Sequence, residues 1–425
     1  MEAHLIVGFF MVNKNTVQLK VNSSTTYNYW SSVSITSEIN ALSRTFQLDV
    51  TPKVYANNTQ IDQFVSGDEI QLIIGDDLVL TGFIDSTPIS YNGTSVTASV
   101  VGRSKTEDLV DCNVAPQGYD LSSIKNNSWT KNINGGKAFV EPNITKAVTQ
   151  FKNIPLKLAV SQLIAPYGIK LVCESNNAAV NSNVHSTVKN SETVFKAIQN
   201  LTKSSGLYFM DDEYGNLIIT DTNDPKSSGA TLELGTNILT ATAQLDFSQR
   251  FSHYWYDNDQ KGNNKKFGDD LQQISKCQDD EIKRFRFYRY KEQTMNGGIS
   301  NGPDQESKYR KAQSQKITYT VVGWRTGKDG LEGDLWQVNT LVKIKDDIVL
   351  GSGVGSNSPV TDMLITKVTF TLDNNGMITT LECVPPAGFR QTDEPAQEKS
   401  KVTKKNGSWS SKSEVKLVGQ DGKYH

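Results

Sequence analysis

Apolar and polar residues alternate with a period of two along the first hundred positions: Val17, Leu19, Val21; Phe46, Leu48, Val50; Ile70, Leu72, Ile74; Val96, Ala98, Val100. This pattern predicts half-buried antiparallel strands. Ser66-Gly67-Asp68, Asp76-Asp77 and Asn92-Gly93 fall between the alternating runs, where turn chemistry is needed. Residues 11–104 therefore read as a first β-barrel-like module. Residues 1–10, with the apolar run LIVGFF but no cationic start, read as a leader or an upstream start and not as a signal peptide.

The pattern changes near residue 105. Ser104 is placed to cap a short helix carrying Leu109 and Val110, and an Asn-rich stretch runs to about residue 142. Pro155 suits the first turn of an amphipathic helix with Leu156, Val160, Leu163 and Ile164 that Gly168 ends. Ser191 precedes a second helix with Val194, Ala197, Ile198 and Leu201, stopped by Gly206. Leu207–Met210 and Leu217–Ile219 flank a turn and predict a hairpin. Residues 105–230 thus form an α+β domain inserted in a mostly β chain.

Alternation returns at Ile317, Tyr319, Val321 and at Leu364, Val368, Phe370, Leu372, so residues 231–256 and 311–389 read as a second β-barrel-like module. Between them, 257–310 is a polar excursion expected to be mobile, to pack with the α+β domain and to hold one strand, the charged aromatic run KRFRFYRYK at Lys283–Lys291. Residues 390–425 are a polar extension. From Gln391 onward they carry seven lysines and five acids, with Trp409 and Val415, Leu417 and Val418 as the apolar exceptions.

The two β modules share a short repeat. GDDLVLTG (Gly75–Gly82) and KDDIVLGSG (Lys345–Gly353) have a common Asp-Asp-Leu/Ile-Val-Leu core. Each copy follows an alternating strand and precedes a hairpin with an Asn-Gly turn, Asn92-Gly93 or Asn375-Gly376. The alternative is that any two antiparallel domains share hairpins. If the repeat is real, three copies of the chain present six similar units.

Composition narrows the function. Among 425 residues, 44 Lys plus Arg against 46 Asp plus Glu give a formal net charge of -2, which removes any bulk attraction to nucleic acid or anionic lipid. No membrane span fits. Cys112, Cys173, Cys277 and Cys383 are widely spaced, with no zinc or disulfide framework, and read as reduced thiols of a protein made in cytoplasm.

Candidate chemistry is sparse. His4, His185, His253 and His425 have no triad or metal-ligand spacing. The carboxylate pairs Asp76-Asp77, Asp211-Asp212, Asp269-Asp270, Asp279-Asp280 and Asp346-Asp347 lie in polar loops and read as solvated turns. GSGVGS at Gly351–Ser356 lacks the lysine and helix of a phosphate loop. The basic and aromatic interleaving of KRFRFYRYK admits single-stranded nucleic acid, a subunit contact or a solvated strand. Trp255, Trp324 and Trp336 read as interface anchors or core. No catalytic, cofactor-binding or metal residue is assigned, and the chain is expected not to be an enzyme.

Several stretches resemble the baseplate hub family of contractile-tailed bacteriophages, the Mu-type tail proteins and related hubs of contractile injection systems. They are VVGRSKTEDLVDC (Val100–Cys112), SETVFKAIQNLTKSSGLYFMDDEYGNLIITD (Ser191–Asp221), LELGTNILTATAQLDFSQRFSHYWY (Leu232–Tyr256), TVVGWRTGKDGLEGDLWQVNTLVKIKD (Thr320–Asp346) and MLITKVTFTLDNNGMITTLECVPPAGF (Met363–Phe389). The resemblance implies a homotrimer whose two modules per chain form a pseudo-sixfold ring around a channel for DNA passage. Its partners would be the tail tube protein, the central spike protein and other baseplate components. Its place would be the tail baseplate of the virion, after assembly in the bacterial cytoplasm. Residues 1–10 and those after Phe389 fall outside this resemblance. A receptor- or carbohydrate-binding tail module is the alternative; a peptidoglycan hydrolase finds no candidate residues.

Overall fold

The computed structural model describes residues 14–39, 41–50, 64–91, 96–123, 139–140, 145–202, 205, 207–221, 225–259, 272–292, 302–350, 360–374 and 376–386. All lie within one compact unit, Met1–Gln391, and the unit Thr392–His425 falls outside the described residues. So do the leader, the Asn92-Gly93 turn, GSGVGS and the C-terminal extension.

The first module consists of β1 (Val17–Val21), β2 (Thr25–Tyr27), β3 (Trp30–Glu38), β4 (Thr45–Val50), β5 (Glu69–Ile74), β6 (Asp77–Ser86), β7 (Ile89–Tyr91) and β8 (Val96–Ser104). Its strands alternate buried and exposed residues, as the period-two pattern requires. The turn from β5 to β6 needs Gly75, whose φ is +62° and whose added Cβ would lie 2.2 Å from the Lys14 carbonyl oxygen.

The insertion contributes α1 (Glu107–Asp111), β9 (Phe139–Val140), β10 (Gln150–Pro155), α2 (Leu156–Ile164), β11 (Leu171–Cys173), β12 (Asn183–Thr187), α3 (Val194–Thr202), β13 (Tyr208–Asp211) and β14 (Leu217–Thr220). Pro155 caps α2 at its start, and Gly168, at φ +65°, stops the short 3-10 turn that follows it. The apolar faces of α2 and α3 close over β11 and β14 around Phe151, Leu163, Ile198 and Leu217, a core separate from that of the β modules. The order of the small sheet is β13-β14-β11-β9.

The second module comprises β15 (Lys226–Glu233) and β16 (Ile238–Leu245), then β17 (His253–Asp259), β18 (Gln272–Gln278), β19 (Phe287–Glu292) and α4 (Gly302–Gln313) as an insertion. It is completed by β20 (Gln315–Val322), β21 (Thr340–Lys345), α5 (Asp347–Leu350), β22 (Thr361–Asp373) and β23 (Gly376–Val384). The described residues of the polar excursion, 257–259, 272–292 and 302–310, are thus better organised than their sequence pattern suggests. Tyr254 and Tyr288 face inward beneath α4, and the Arg310 guanidinium stacks 4.5 Å from the Tyr288 ring. Aromatic rings under long cationic side chains supply the burial that a hydrophobic pattern search does not register.

Both modules contribute to one sheet ordered β16-β20-β23-β22-β3-β4-β8-β6-β5-β1-β2, with β21 pairing β22 and β15 pairing β21. Their strand order is the same. Read from β3 the first module runs β3-β4-β8-β6-β5-β1, and read from β16 the second runs β16-β20-β23-β22-β21-β15. One pairing differs in sense: β1 is antiparallel to β5, whereas β15 is parallel to β21. Neither module closes on itself among the described residues. β22 pairs with β3, so the sheet and the hydrophobic core run continuously between the modules.

The Asp-Asp motif that suggested the repeat does not mark equivalent structure. In the first copy, Asp77-Leu78-Val79-Leu80 opens β6; in the second, Asp347-Ile348-Val349-Leu350 is the helix α5. The Asp346 carboxylate accepts from the amides of Ile348 and Val349 and so nucleates a helical turn.

Candidate interaction surfaces

Of the carboxylate pairs, Asp76, Asp77, Asp280 and Asp347 are exposed as expected of solvated turns, whereas Asp211, Asp212, Asp279 and Asp346 are buried and structural. Asp211 is buried against Arg44, whose Nε lies 3.1 Å from its carboxylate, and Asp212 accepts from the amides of Tyr214 and Asn216. Asp279 is buried against Arg250 at 2.7 Å, and Asp346 is buried at the start of α5. Asp77 pairs with Arg325, while Asp269-Asp270 lies outside the described residues. A polar loop sequence signals a turn equally well whether water or an arginine from elsewhere in the fold receives the carboxylate. Trp324 and Trp336 are core residues, and Trp255 stands on the outer face of the β17–β19 sheet. His185 lies in β12 and His253 beside Ser252; His4 and His425 are outside the described residues. The four cysteines are unpaired, and no cluster of metal-ligating side chains occurs among the described residues.

Three surfaces stand out. The run KRFRFYRYK contributes β19, which pairs in parallel with β17. There Phe285, 76% exposed, stacks on Phe287, and Phe287 meets the edge of Trp255 at 5.0 Å. Lys276 Nζ lies 4.1 Å from the Trp255 ring, which completes an aromatic and cationic face.

The second surface is an acidic cluster around Arg103. Its guanidinium reaches Asp85 at 2.7 Å, Glu107 at 2.9 Å and Asp111 at 2.8 Å. Burial pushes the Glu107 carboxyl up to about 8, with Asp85 adding to the rise and Arg103 opposing it. A carboxyl raised above its unfolded value stabilises the fold below about 4.5, and that contribution fades as pH rises towards 8. Urea unfolding should therefore show wild-type stability falling between pH 5 and 9. The Glu107→Gln variant should show a flatter profile, and identical slopes would refute the assignment.

The third surface comprises two of the free sheet edges, which the residue-level equivalence of the modules defines. β4–β8 pairing places Phe46 opposite Gly102 and Leu48 opposite Val100; β20–β23 pairing places Ile317 opposite Cys383 and Tyr319 opposite Leu381. Superposing these ladders aligns two irregularities. The break between Trp30 and Ser32 in β3 matches that between Ile238 and Thr240 in β16, and the break between Ile84 and Ser86 matches that between Ile365 and Lys367. β-bulges at matching places in two ladders indicate a common architecture beyond shared hairpins. In this alignment β22 corresponds to β6 plus β7, and β3 to β16. The β3–β22 junction is filled within the chain, whereas β16 and the outer edge of residues 85–91 have no strand beside them among the described residues.

Family models match three segments of the chain in the same order as the modules. They are the Mu phage baseplate assembly protein GpP-like N-terminal domain over residues 16–104, the baseplate hub protein gp44-like second domain over 141–221, and the Mu phage baseplate assembly protein GpP fourth domain over 303–392. The chain belongs to the Mu-type baseplate hub family. Its role is that of a structural component of the phage tail baseplate. It is 27% identical to the baseplate hub protein gp44 of Escherichia phage Mu over 406 residues, covering 92% of this chain and 94% of the relative. The 43 kDa tail protein of prophage MuSo2 from Shewanella oneidensis superposes with a TM-score of 0.67 at 26% identity, covering 88% of this chain and 99% of that one. The tail protein of Neisseria meningitidis MC58 shares the fold, with a TM-score of 0.63 at 20% identity, covering 87% and 96%. No helix among the described residues is long and apolar enough to cross a membrane.

Proposed function

We propose that this hub is a homotrimer whose six β modules form a pseudo-sixfold ring. The ring would adapt the sixfold tail tube protein to the threefold central spike protein and leave a channel for DNA. The observation that carries this reading is the repeated strand order with its bulges at matching positions, since two like modules per chain let three chains offer six like faces. The domain divisions at 11–104, 105–230, 231–256 with 311–389, and 390–425 belong to the same proposal. So does assembly in the host cytoplasm with other baseplate components.

Native mass spectrometry of the full chain should give three times the 47.0 kDa protomer mass, and negative-stain images should show rings. A stable monomer that binds glycans through the Trp255, Phe285 and Phe287 face would replace this reading with the receptor- or carbohydrate-binding one.

A further inference from the structure

We propose that the free edge of β16 pairs antiparallel with residues 86–91 of a second copy, in the register of the β3–β22 junction within the chain. This rests on the ring reading and names the contact that would close it. Inside the chain, β3 and β22 pair Ser37 with Val368, Thr36 with Thr369, Ile35 with Phe370 and Ser34 with Thr371. Module equivalence converts these pairs to Leu245 with Thr87, Gln244 with Pro88, Ala243 with Ile89 and Thr242 with Ser90.

Burial supports the conversion. Ile35 is 1% exposed and Phe370 5%, because each covers the other's strand. The counterpart of Phe370, Ile89, is 47% exposed; Ala243, the counterpart of Ile35, is half-buried, and its neighbours on β16, Leu239 and Leu245, stand 54% and 43% exposed. Apolar side chains flanking an unpaired backbone edge form a template for strand addition unless a partner strand covers them.

Hydrogen-bond geometry fits as well. The Ser99 amide donates to the Pro88 carbonyl at 3.0 Å, so the polar groups of Pro88 face β8. Main-chain groups alternate sides along an antiparallel strand, so the missing proline N–H is not on the free edge, while those of Thr87 and Ile89 are. The Thr36 and Thr369 hydroxyls meet at 3.1 Å across the filled junction, as expected for a pair of the closer, non-hydrogen-bonded kind. Ser90 with Thr242 is the same kind of pair, with Cα atoms about 4.5 Å apart, within disulfide reach.

The test is oxidative cross-linking of the full-length Ser90→Cys/Thr242→Cys variant. Non-reducing electrophoresis should show dimers and trimers that each single variant lacks. A mixture of the two single variants should give dimers, and Ser90→Cys/Leu239→Cys should cross-link at least tenfold less. Because a cysteine variant can misfold, Ala243→Pro provides an independent readout: it removes an outward N–H without touching the β16–β20 ladder and should weaken self-association by roughly tenfold or more. A native trimer that neither cross-links in this register nor responds to Ala243→Pro overturns the edge contact and leaves the ring standing. A monomer throughout overturns both.

Discussion

Replacing Arg44 with methionine is expected to destabilise the protein by about 3–5 kcal/mol, because it strands a buried carboxylate. Arg44 donates through Nε to the Asp211 carboxylate at 3.1 Å, through Nη1 to the Val79 carbonyl at 2.6 Å and through Nη2 to the Asp211 carbonyl at 3.1 Å. One side chain therefore joins the first β module to the α+β domain. Burial already pushes the Asp211 carboxyl above its ordinary value despite the guanidinium beside it. Without Arg44 the carboxyl rises further, and a raised acid favours the fold only where it can hold its proton, so the loss should shrink as pH falls towards 4 and grow above it. Equilibrium urea denaturation at both ends of this range checks the magnitude and the sign. Adding Asp211→Asn to the variant should recover part of the loss at neutral pH, since it removes the charge left without a partner. A loss that is independent of pH and unrelieved by Asp211→Asn would contradict the buried-pair account.

Trp324→Ala should cost about 3–5 kcal/mol, the range for removing a large aromatic from a close-packed core. Trp324 is fully buried, packs edge-on to Phe370 at 6.1 Å, and donates through its indole N–H towards the Thr371 and Ile378 carbonyls at 3.1 and 3.2 Å. It thus pins the β22–β23 hairpin from the side. The segment holding it in place turns at Gly323, where φ is +67° and a Cβ would lie 2.2 Å from the Gly330 carbonyl oxygen. Arg325 next to it reaches the Lys14 carbonyl at 2.7 Å and Asp77 at 2.8 Å, so this turn also ties the second module to the first. Trp324→Phe should lose less, because the ring volume is largely retained and the loss reports mainly the indole hydrogen bond. Denaturation midpoints for the two variants separate packing from hydrogen bonding, and equal losses would show that the hydrogen bond dominates.

The β modules were legible in the sequence where one face of a strand meets the core and the other meets water, as in Val17, Leu19, Val21 or Ile317, Tyr319, Val321. The helices at 156–164 and 194–202 were legible because their punctuation is local: a proline at one end and an αL glycine beyond the other for the first, and a serine just ahead of the second. The duplication was sensed through a motif that is not equivalent in the fold. Asp76-Asp77 turns into a strand and Asp346-Asp347 into a helix, and the real correspondence is carried by hydrogen-bonding partners that sequence similarity does not preserve. The Arg44–Asp211 and Arg250–Asp279 pairs were missed for a related reason: nothing local to a carboxylate in a turn reveals that an arginine 167 positions away in the chain will cover it. Of the β17–β19 sheet, the strand within Lys283–Lys291 was legible and its pairing with the other two was not, because the inner face of the sheet is tyrosine and its cover is arginine and lysine, which together read as polar.

The β3–β22 junction also sets a timetable. Thr36 and Thr369, which touch across it, are 333 residues apart in the chain. At elongation speeds of about 5–20 residues per second, β3 is synthesised roughly 15–70 s before the strand that seals its edge exists. Throughout that interval β3 offers Val33 and Ile35 and an unpaired backbone to any passing strand, including the same strand on a neighbouring nascent chain. Contacts this distant in sequence also form late in folding, because loop closure must precede them. The first module must therefore wait, with a sticky edge, for the end of its own synthesis, and a host chaperone that shields β3 during those seconds would raise the yield of the finished protein.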